Sequence, residues 1–339
     1  MREISAADAR SLLREVVDTP SVSGSEEACA DRLVAFFEEQ DREVWIDEVG
    51  NVRAPADDSV LLTSHIDTVP GSIPVRIEDD VLRGRGSVDA KGPLVAMAVA
   101  AVQSGVSFVG VVEEETTSAG ARHLVEERAV PDAVVNGEPS GWDAITLGYR
   151  GMLRGEFAVT TEVGHTSRPE PNAIQQAVTW WDAVEAEFET ETEAVFERVT
   201  PKPVAMEGGT SADGFDFEAW IDAQFRVPPS LTTDAVAETV EALGEGTVDW
   251  TDAIEPVMES PRNRVATALR RGIRQLAGDP GHRRKTGTSD MNVYAQAWDV
   301  PMATYGPGDS SLDHTPDEHL DLGAFDRAIE VLTAAAEAL

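Results

Sequence analysis

"GRGSVDAKGPLVAMAVAAVQSGVSFVGVVEEETTSAGA", residues 84–121, decides the fold. From Gly92 to Val112 it carries no charge, a length that could cross a hydrocarbon core of about 30 Å as a helix. Its interior argues otherwise. Pro93 suits the first turn of a helix, Gln103-Ser104-Gly105 stops it, and Ser107–Val112 has the β-branched enrichment of a buried parallel strand. The stretch reads as a buried helix, a turn and a core strand that ends in three consecutive glutamates.

Outward from there the same grammar repeats. Apolar strands are predicted at "SVLLTSHID" and "AVVNGEP", with helices over Pro93–Gln103 and Ala119–Glu127 between them, the βαβ rhythm of a mainly parallel sheet covered by helices. Two helices open the chain, Ala6–Val17 and Glu26–Gln40, the second with a cap expected from "SGSEEACA". After Tyr149-Arg150-Gly151 the rhythm changes to strand (Leu153–Val163), helix (Asn172–Phe188), strand (Ala194–Glu207), strand (Ala219–Val227), helix (Thr233–Leu243) and strand (Thr247–Asp252). That is a ferredoxin-like β-α-β-β-α-β unit. The fold class is therefore α/β, with residues 152–255 inserted as an α+β domain into a larger domain made of 1–151 and 256–339. A helix near Arg262 and a C-terminal helix over Gly323–Leu339 complete it.

Composition excludes several functions. The chain has 339 residues, 42% of them hydrophobic, enough for a sizeable core. Sixty-two acidic residues against 27 basic ones give a net charge of −35, which repels nucleic-acid backbones and anionic membranes. Only Lys91, Lys202 and Lys285 are lysines and the acids are scattered, a pattern that resembles proteins of extreme halophiles. With Cys29 as the only cysteine, no intramolecular disulfide or thiolate cluster can form, so any metal must use histidines and carboxylates. The N-terminus lacks the apolar segment of a signal peptide, and a cytoplasmic location is expected.

Metal-capable residues gather at predicted strand ends. In "SHIDTVP", His65 and Asp67 stand two apart, so both can face one side, and a carboxylate beside a histidine raises its basicity as a ligand. Asp89 lies in the glycine-rich turn before the buried helix. Glu113, Glu114 and Glu115 end the next strand, Glu138 the third, and "YGPGDSSLDHTPDEH" supplies His314. Each signal has a plain alternative: an isolated HxD, a helix-capping Asp89, a solvated glutamate loop. Yet crowded carboxylates at a sheet edge are costly unless cations or shared protons offset them, and the carboxyl ends of strands are where ligands gather in open α/β sheets.

This ordered series of SHxD, a glycine-flanked Asp, an EE pair before "SxG", "GEPS" and a late "GP…H" resembles the acetylornithine deacetylase and succinyl-diaminopimelate desuccinylase family of dinuclear zinc hydrolases, over essentially the whole chain. The resemblance implies two Zn²⁺ ions, with Co²⁺ able to substitute. Asp89 would bridge them, His65 and Glu138 completing one site and Glu115 and His314 the other. Glu114 would be the general base toward a water shared by the ions, and Asp67 would orient His65. It implies a homodimer in which His165, in "EVGHTSRPEPNAI", stabilises the oxyanion across the interface; a surface-loop histidine is the alternative. Arg226, in "AQFRVPP", would bind a substrate carboxylate or form a framework ion pair. His123, His282 and His319 are assigned to structural or solvent positions.

Within that family, "RRKTGTSDMNVYAQAW" and "PMATYGPGDSSLDHTPDEH" resemble the hydrolases that release lysine or ornithine from the C-terminal glutamate of a small acidic amino-group carrier protein. Between Arg262 and Lys285 there are eight basic residues and one acid, Asp279. Two readings of that stretch stand side by side: a patch that steers an acidic carrier, or arginines paired with the protein's own acids. Lys285, Thr288 and Ser289 are candidate contacts for the released amino acid. The competing functions are a deacylase of a free substrate such as N-acetylornithine or N-succinyl-diaminopimelate, which needs no patch, and a non-catalytic binding protein on the same fold.

Overall fold

The computed structural model describes residues 4–164, 167, 169–192 and 194–339. It divides into two compact units, one of Met1–Leu147, Glu259–Arg283 and Ser289–Leu339, the other of Gly148–Met258 and Arg284–Thr288.

The chain opens with α1 (Ala6–Asp18), capped by the Ser5 hydroxyl, and α2 (Glu27–Glu39). The cap expected from "SGSEEACA" does not form. Glu26 holds the N-cap position without a side-chain cap bond, because its carboxylate accepts from the amides of Gly24 and Glu113 instead. There follow β1 (Trp45–Ile46), β2 (Val52–Ala54), β3 (Asp57–His65), β4 (Arg76–Glu78), β5 (Val81–Arg83), α3 (Lys91–Ser104), β6 (Val106–Val111), α4 (Ala119–Glu127), β7 (Val134–Gly137) and β8 (Ala144–Tyr149). Next come β9 (Gly151–Glu162), α5 (Ala173–Glu187), β10 (Thr200–Thr210), β11 (Asp216–Val227), α6 (Thr233–Glu241), β12 (Thr247–Ile254) and β13 (Val257–Met258). The chain returns through α7 (Arg264–Gln275), β14 (Gly281–Lys285), α8 (Asp290–Ala297), β15 (Met302–Thr304), β16 (His319–Asp321) and α9 (Leu322–Ala336).

The uncharged stretch resolves as its punctuation dictates. Helix α3 spans 14 residues, is buried from Lys91 to Val102, and stops at Gly105, whose φ of 76° is the left-handed C-cap that glycine adopts without strain. A helix buried on all sides can be apolar on all sides. No helix among the described residues is long and apolar enough to cross a membrane. Helix α3 packs on β3 and β6 and between α1 and α9.

The large sheet runs β1-β2-β6-β3-β7-β15-β8. Its centre, β6, β3, β7 and β15, is parallel, whereas β2 and β8 pair antiparallel at the flanks, so the sheet is mixed. The parallel centre fixes the site. Strand β3 ends on His65, β6 runs into Glu113–Glu115, β7 ends one residue before Glu138, and β15 leads into the segment carrying His314. A small sheet, β16-β5-β4, lies outside the sequence reading.

In the second unit, β10-β11-β9-β12 form an antiparallel sheet against which α5 and α6 pack. Its core includes Phe157, Trp180 and Phe225, with the Phe157 and Trp180 rings stacked at 4.1 Å. The strand expected from Ala194 begins only at Thr200, after a single 3₁₀ turn at Val195–Glu197. The cause is Arg150, a buried guanidinium that draws the carbonyls of Val195 and Arg198 and the Thr200 hydroxyl to 3.0, 3.4 and 2.8 Å.

Gly137 marks where the site's scaffold is tightest. A Cβ there would lie 2.6 Å from Ser64 Cβ and 2.8 Å from Met97 Sδ. Gly137→Ala should therefore destabilise the protein by about 1–3 kcal/mol through overpacking. A thermal melt followed by circular dichroism checks this, and an unchanged midpoint would contradict the close packing of β3, β7 and α3.

Candidate metal centre

Two imidazoles meet one carboxylate. His65 Nε2 lies 3.2 Å from Asp89 Oδ1, and His314 Nε2 lies 3.1 Å from Asp89 Oδ2 and 3.0 Å from Glu115 Oε1. Glu138 Oε1 approaches His65 Nε2 at 3.9 Å. Donor atoms of His65, Asp89 and Glu115 lie within 4.8 Å of one another, as do those of His65, Glu114 and Glu138. Five chain segments thus converge, spanning 249 positions from His65 to His314, because parallel strands place their carboxyl ends side by side and the turn before α3 brings Asp89 to them.

Asp67 organises the glutamate turn as well as the histidine. One of its oxygens is 3.3 Å from His65 Nδ1 and accepts the Glu114 amide at 3.1 Å, and the other accepts the Glu115 amide at 3.1 Å and the Ser23 hydroxyl at 2.7 Å. The turn itself is held open by left-handed residues at both ends, Glu113 at φ 59° and Ser118 at φ 52°. Such a conformation in a non-glycine residue persists where its surroundings over-determine it.

Three further residues escape a sequence reading. Glu318 is buried and accepts the Val88 and Asp89 amides at 2.9 and 3.1 Å while pairing with Arg85 at 2.8 Å, so it fixes the backbone that presents Asp89. Asp290, the first residue of α8, is buried. Burial pushes its carboxyl up to about 7. Ser23 is the third. The "HTPDEH" and "GTSDMN" strings contain Glu318 and Asp290, yet nothing in their spacing tells which chain segment they hold.

The other candidates are placed as follows. His165 lies outside the described residues. Half-buried Arg226 donates to the Thr288 hydroxyl at 3.4 Å, within the second unit. Ser289 is buried and caps α8. Lys285 is half-buried at the end of β14. His123 approaches Glu48 at 3.6 Å, His282 approaches Arg270 at 3.4 Å, and His319 meets the Asp317 carbonyl at 2.6 Å.

The donor set fits divalent cations. It is all nitrogen and oxygen, and its charges need an offset. Burial, then the neighbouring Glu138, pushes the Glu114 carboxyl well above its ordinary range. Hydrogen bonds to Asp89 and Glu115 push His314 up to about 10. For His65, burial works against the charged form, but Asp67 and Asp89 outweigh it and raise the imidazole well above its ordinary value. Protons on the two histidines stand where cationic charge is needed.

Comparison with known proteins agrees with this geometry. Residues 61–338 match the model of Peptidase family M20/M25/M40. A protein of Deinococcus radiodurans named LysW-lysine hydrolase is 40% identical over 97% of this chain and 96% of its own. A LysW-lysine/LysW-ornithine hydrolase of Sulfurisphaera tokodaii is 30% identical over 95% and 92%. The fold is shared with the aminopeptidase PepT of Bacillus cereus, at a TM-score of 0.79 and 20% identity over 99% of both chains. It is shared too with a dinuclear metal-binding peptidase of Bacillus subtilis, at 0.70 and 16% over 98% and 97%.

A histidine gives up its proton to bind a metal, so a proton held up to about pH 10 on His314 competes with metal below that pH. Apparent Zn²⁺ affinity should rise from about pH 7 to about pH 9, with net proton release on binding. Calorimetric titration in buffers of different ionisation enthalpy checks this; equal heats in all buffers would contradict it. On sequence, fold and the architecture of this centre, the chain belongs to peptidase family M20/M25/M40.

Proposed function

We propose that the protein is a zinc-dependent amide hydrolase that releases L-lysine or L-ornithine from the γ-carboxyl of the C-terminal glutamate of an acidic amino-group carrier protein, in lysine and arginine biosynthesis. The observation that carries this reading is the near full-length match, at 40% identity, to a relative named for hydrolysis of a lysine conjugate.

His65, Glu138 and Asp89 would hold one Zn²⁺, and Glu115, His314 and the shared Asp89 the other, with Co²⁺ as a substitute. Such ions supply Lewis acidity toward the amide carbonyl and toward water. The remaining work belongs to side chains. Glu114, raised by burial and by Glu138, takes a proton from the water that adds to the carbonyl and passes it to the leaving nitrogen as the C–N bond breaks. The carrier keeps a glutamate carboxylate and the amino acid leaves as an amine. Asp67 keeps the base in register through the amides of Glu114 and Glu115, and it orients His65.

Arg226 is assigned to the substrate carboxylate, and Lys285, Thr288 and Ser289 to the amino acid that is released. The second unit is assigned the dimerisation role, with His165 stabilising the oxyanion of the partner's site. Support for the homodimer comes from β10, an edge strand with Val204 and Met206 exposed, and from Phe215, 75% exposed in the same unit. The acid-rich composition supports a cytoplasm rich in salt.

Enzyme loaded with Zn²⁺ or Co²⁺ in concentrated salt should release lysine or ornithine from the charged carrier, read by amino-acid analysis. Efficient cleavage of acetylornithine without turnover of the carrier adduct would sink the substrate assignment. Glu114→Gln should lower kcat by about 10²–10⁴-fold with metal content unchanged by mass spectrometry; retained activity would sink the role of the base.

A further inference from the structure

Against a net charge of −35, helix α7 carries four arginines and no acid in 12 residues. Val265, Ala266, Ala268, Leu269, Gly272 and Ile273 are buried, so helical periodicity turns the arginines outward. Arg264, Arg271 and Arg274 are exposed and Arg270 is half-buried. Exposed Arg262 precedes the helix, and exposed Arg283 follows on β14, beside the His282 that approaches Arg270.

These charges are not neutralised from within. Among the described residues, Arg262, Arg264, Arg270, Arg271 and Arg274 form no ion pair, whereas Arg284 pairs with Glu197 at 3.2 Å. Arg264 donates to the Asp132 carbonyl, and Arg270 to the Pro261 carbonyl and the Thr267 hydroxyl, all neutral oxygens. On α7, then, the arginines do not pair with the protein's own acids, whereas Arg284 on β14 does.

Through Arg283 the face approaches two segments that lie close in sequence to ligands of the metal centre. The Arg283 guanidinium lies 3.5 Å from where a Cβ on Gly141 would be, three residues past Glu138. Asp309, five residues before His314, feels its charge.

Resting on the carrier as substrate, we propose that the arginine face of α7 with Arg283 is the docking surface for the acidic body of the carrier, while the metal centre receives only its C-terminal adduct. An acidic protein is repelled by most of this surface and attracted here, so the face sets orientation as well as affinity. Guanidinium groups suit the task because they bind carboxylates in bidentate fashion. A protein fits better than a nucleic acid: the helix is only about 18 Å long and the surrounding charge repels a continuous polyanion.

The test compares wild type with Arg264→Glu/Arg271→Glu/Arg274→Glu on two substrates, the lysyl carrier and the small amide γ-glutamyl-lysine. The variant should raise KM for the carrier about tenfold or more with kcat unchanged, leave the small amide unaffected, and differ less from wild type as salt rises. Activity on the small amide shows that the variant is folded. An unchanged KM for the carrier overturns the docking face alone. A wild type that cleaves the small amide but never the carrier overturns the carrier reading and the docking face with it. Tighter binding of a single-stranded oligonucleotide than of the carrier, lost in the variant, overturns the assignment of a protein partner.

Discussion

One carboxylate between two imidazoles organises this molecule. Asp89 offers one oxygen to His65 and the other to His314, and these two histidines lie 249 positions apart in the chain. To hold Asp89 there, Glu318 grips its amide from the far end of the sequence, and the fully buried helix α3 begins immediately behind it. The parallel centre of the large sheet supplies the other residues at the ends of neighbouring strands.

The chemistry follows from crowding. Asp67, Asp89, Glu114, Glu115 and Glu138 meet in a largely buried space, where like charges are costly. Asp67 stays ionised although burial opposes it, because His65, Ser23 and the Glu115 amide favour its charged form. Glu114, by contrast, is pushed toward its protonated form by burial and by Glu138. Neighbouring carboxylates with opposite tendencies allow one to serve as a fixed anchor and the other as a proton carrier.

Much of this was legible in the sequence because short-range rules governed it. Gly105 ends α3 in a left-handed conformation, as the Gln-Ser-Gly stop implies, and strand-end motifs point to the cluster because strand direction alone decides where they meet. What escaped depends on contacts between distant segments. Glu26 forgoes capping α2 because a glutamate turn 87 residues away offers an amide. Strand β10 starts late because Arg150 claims the backbone before it. Strands β4 and β5 carry Arg76, Glu78 and Arg83, which carry no hydrophobic alternation to announce them. The arginine stretch was visible from composition, but the oxygens its members meet were not: Arg264 and Arg270 take neutral carbonyls, Arg284 a glutamate.

On the proposed mechanism Asp89 would join two cations while Glu114 stays free to move a proton. Anomalous diffraction at the zinc edge from crystals of the zinc-loaded protein tests it most directly. Two peaks are expected flanking Asp89, one beside His65 and Glu138 and one beside His314 and Glu115, with the Glu114 carboxylate bound to neither. A single peak, or a Glu114 carboxylate coordinated to an ion, would contradict it.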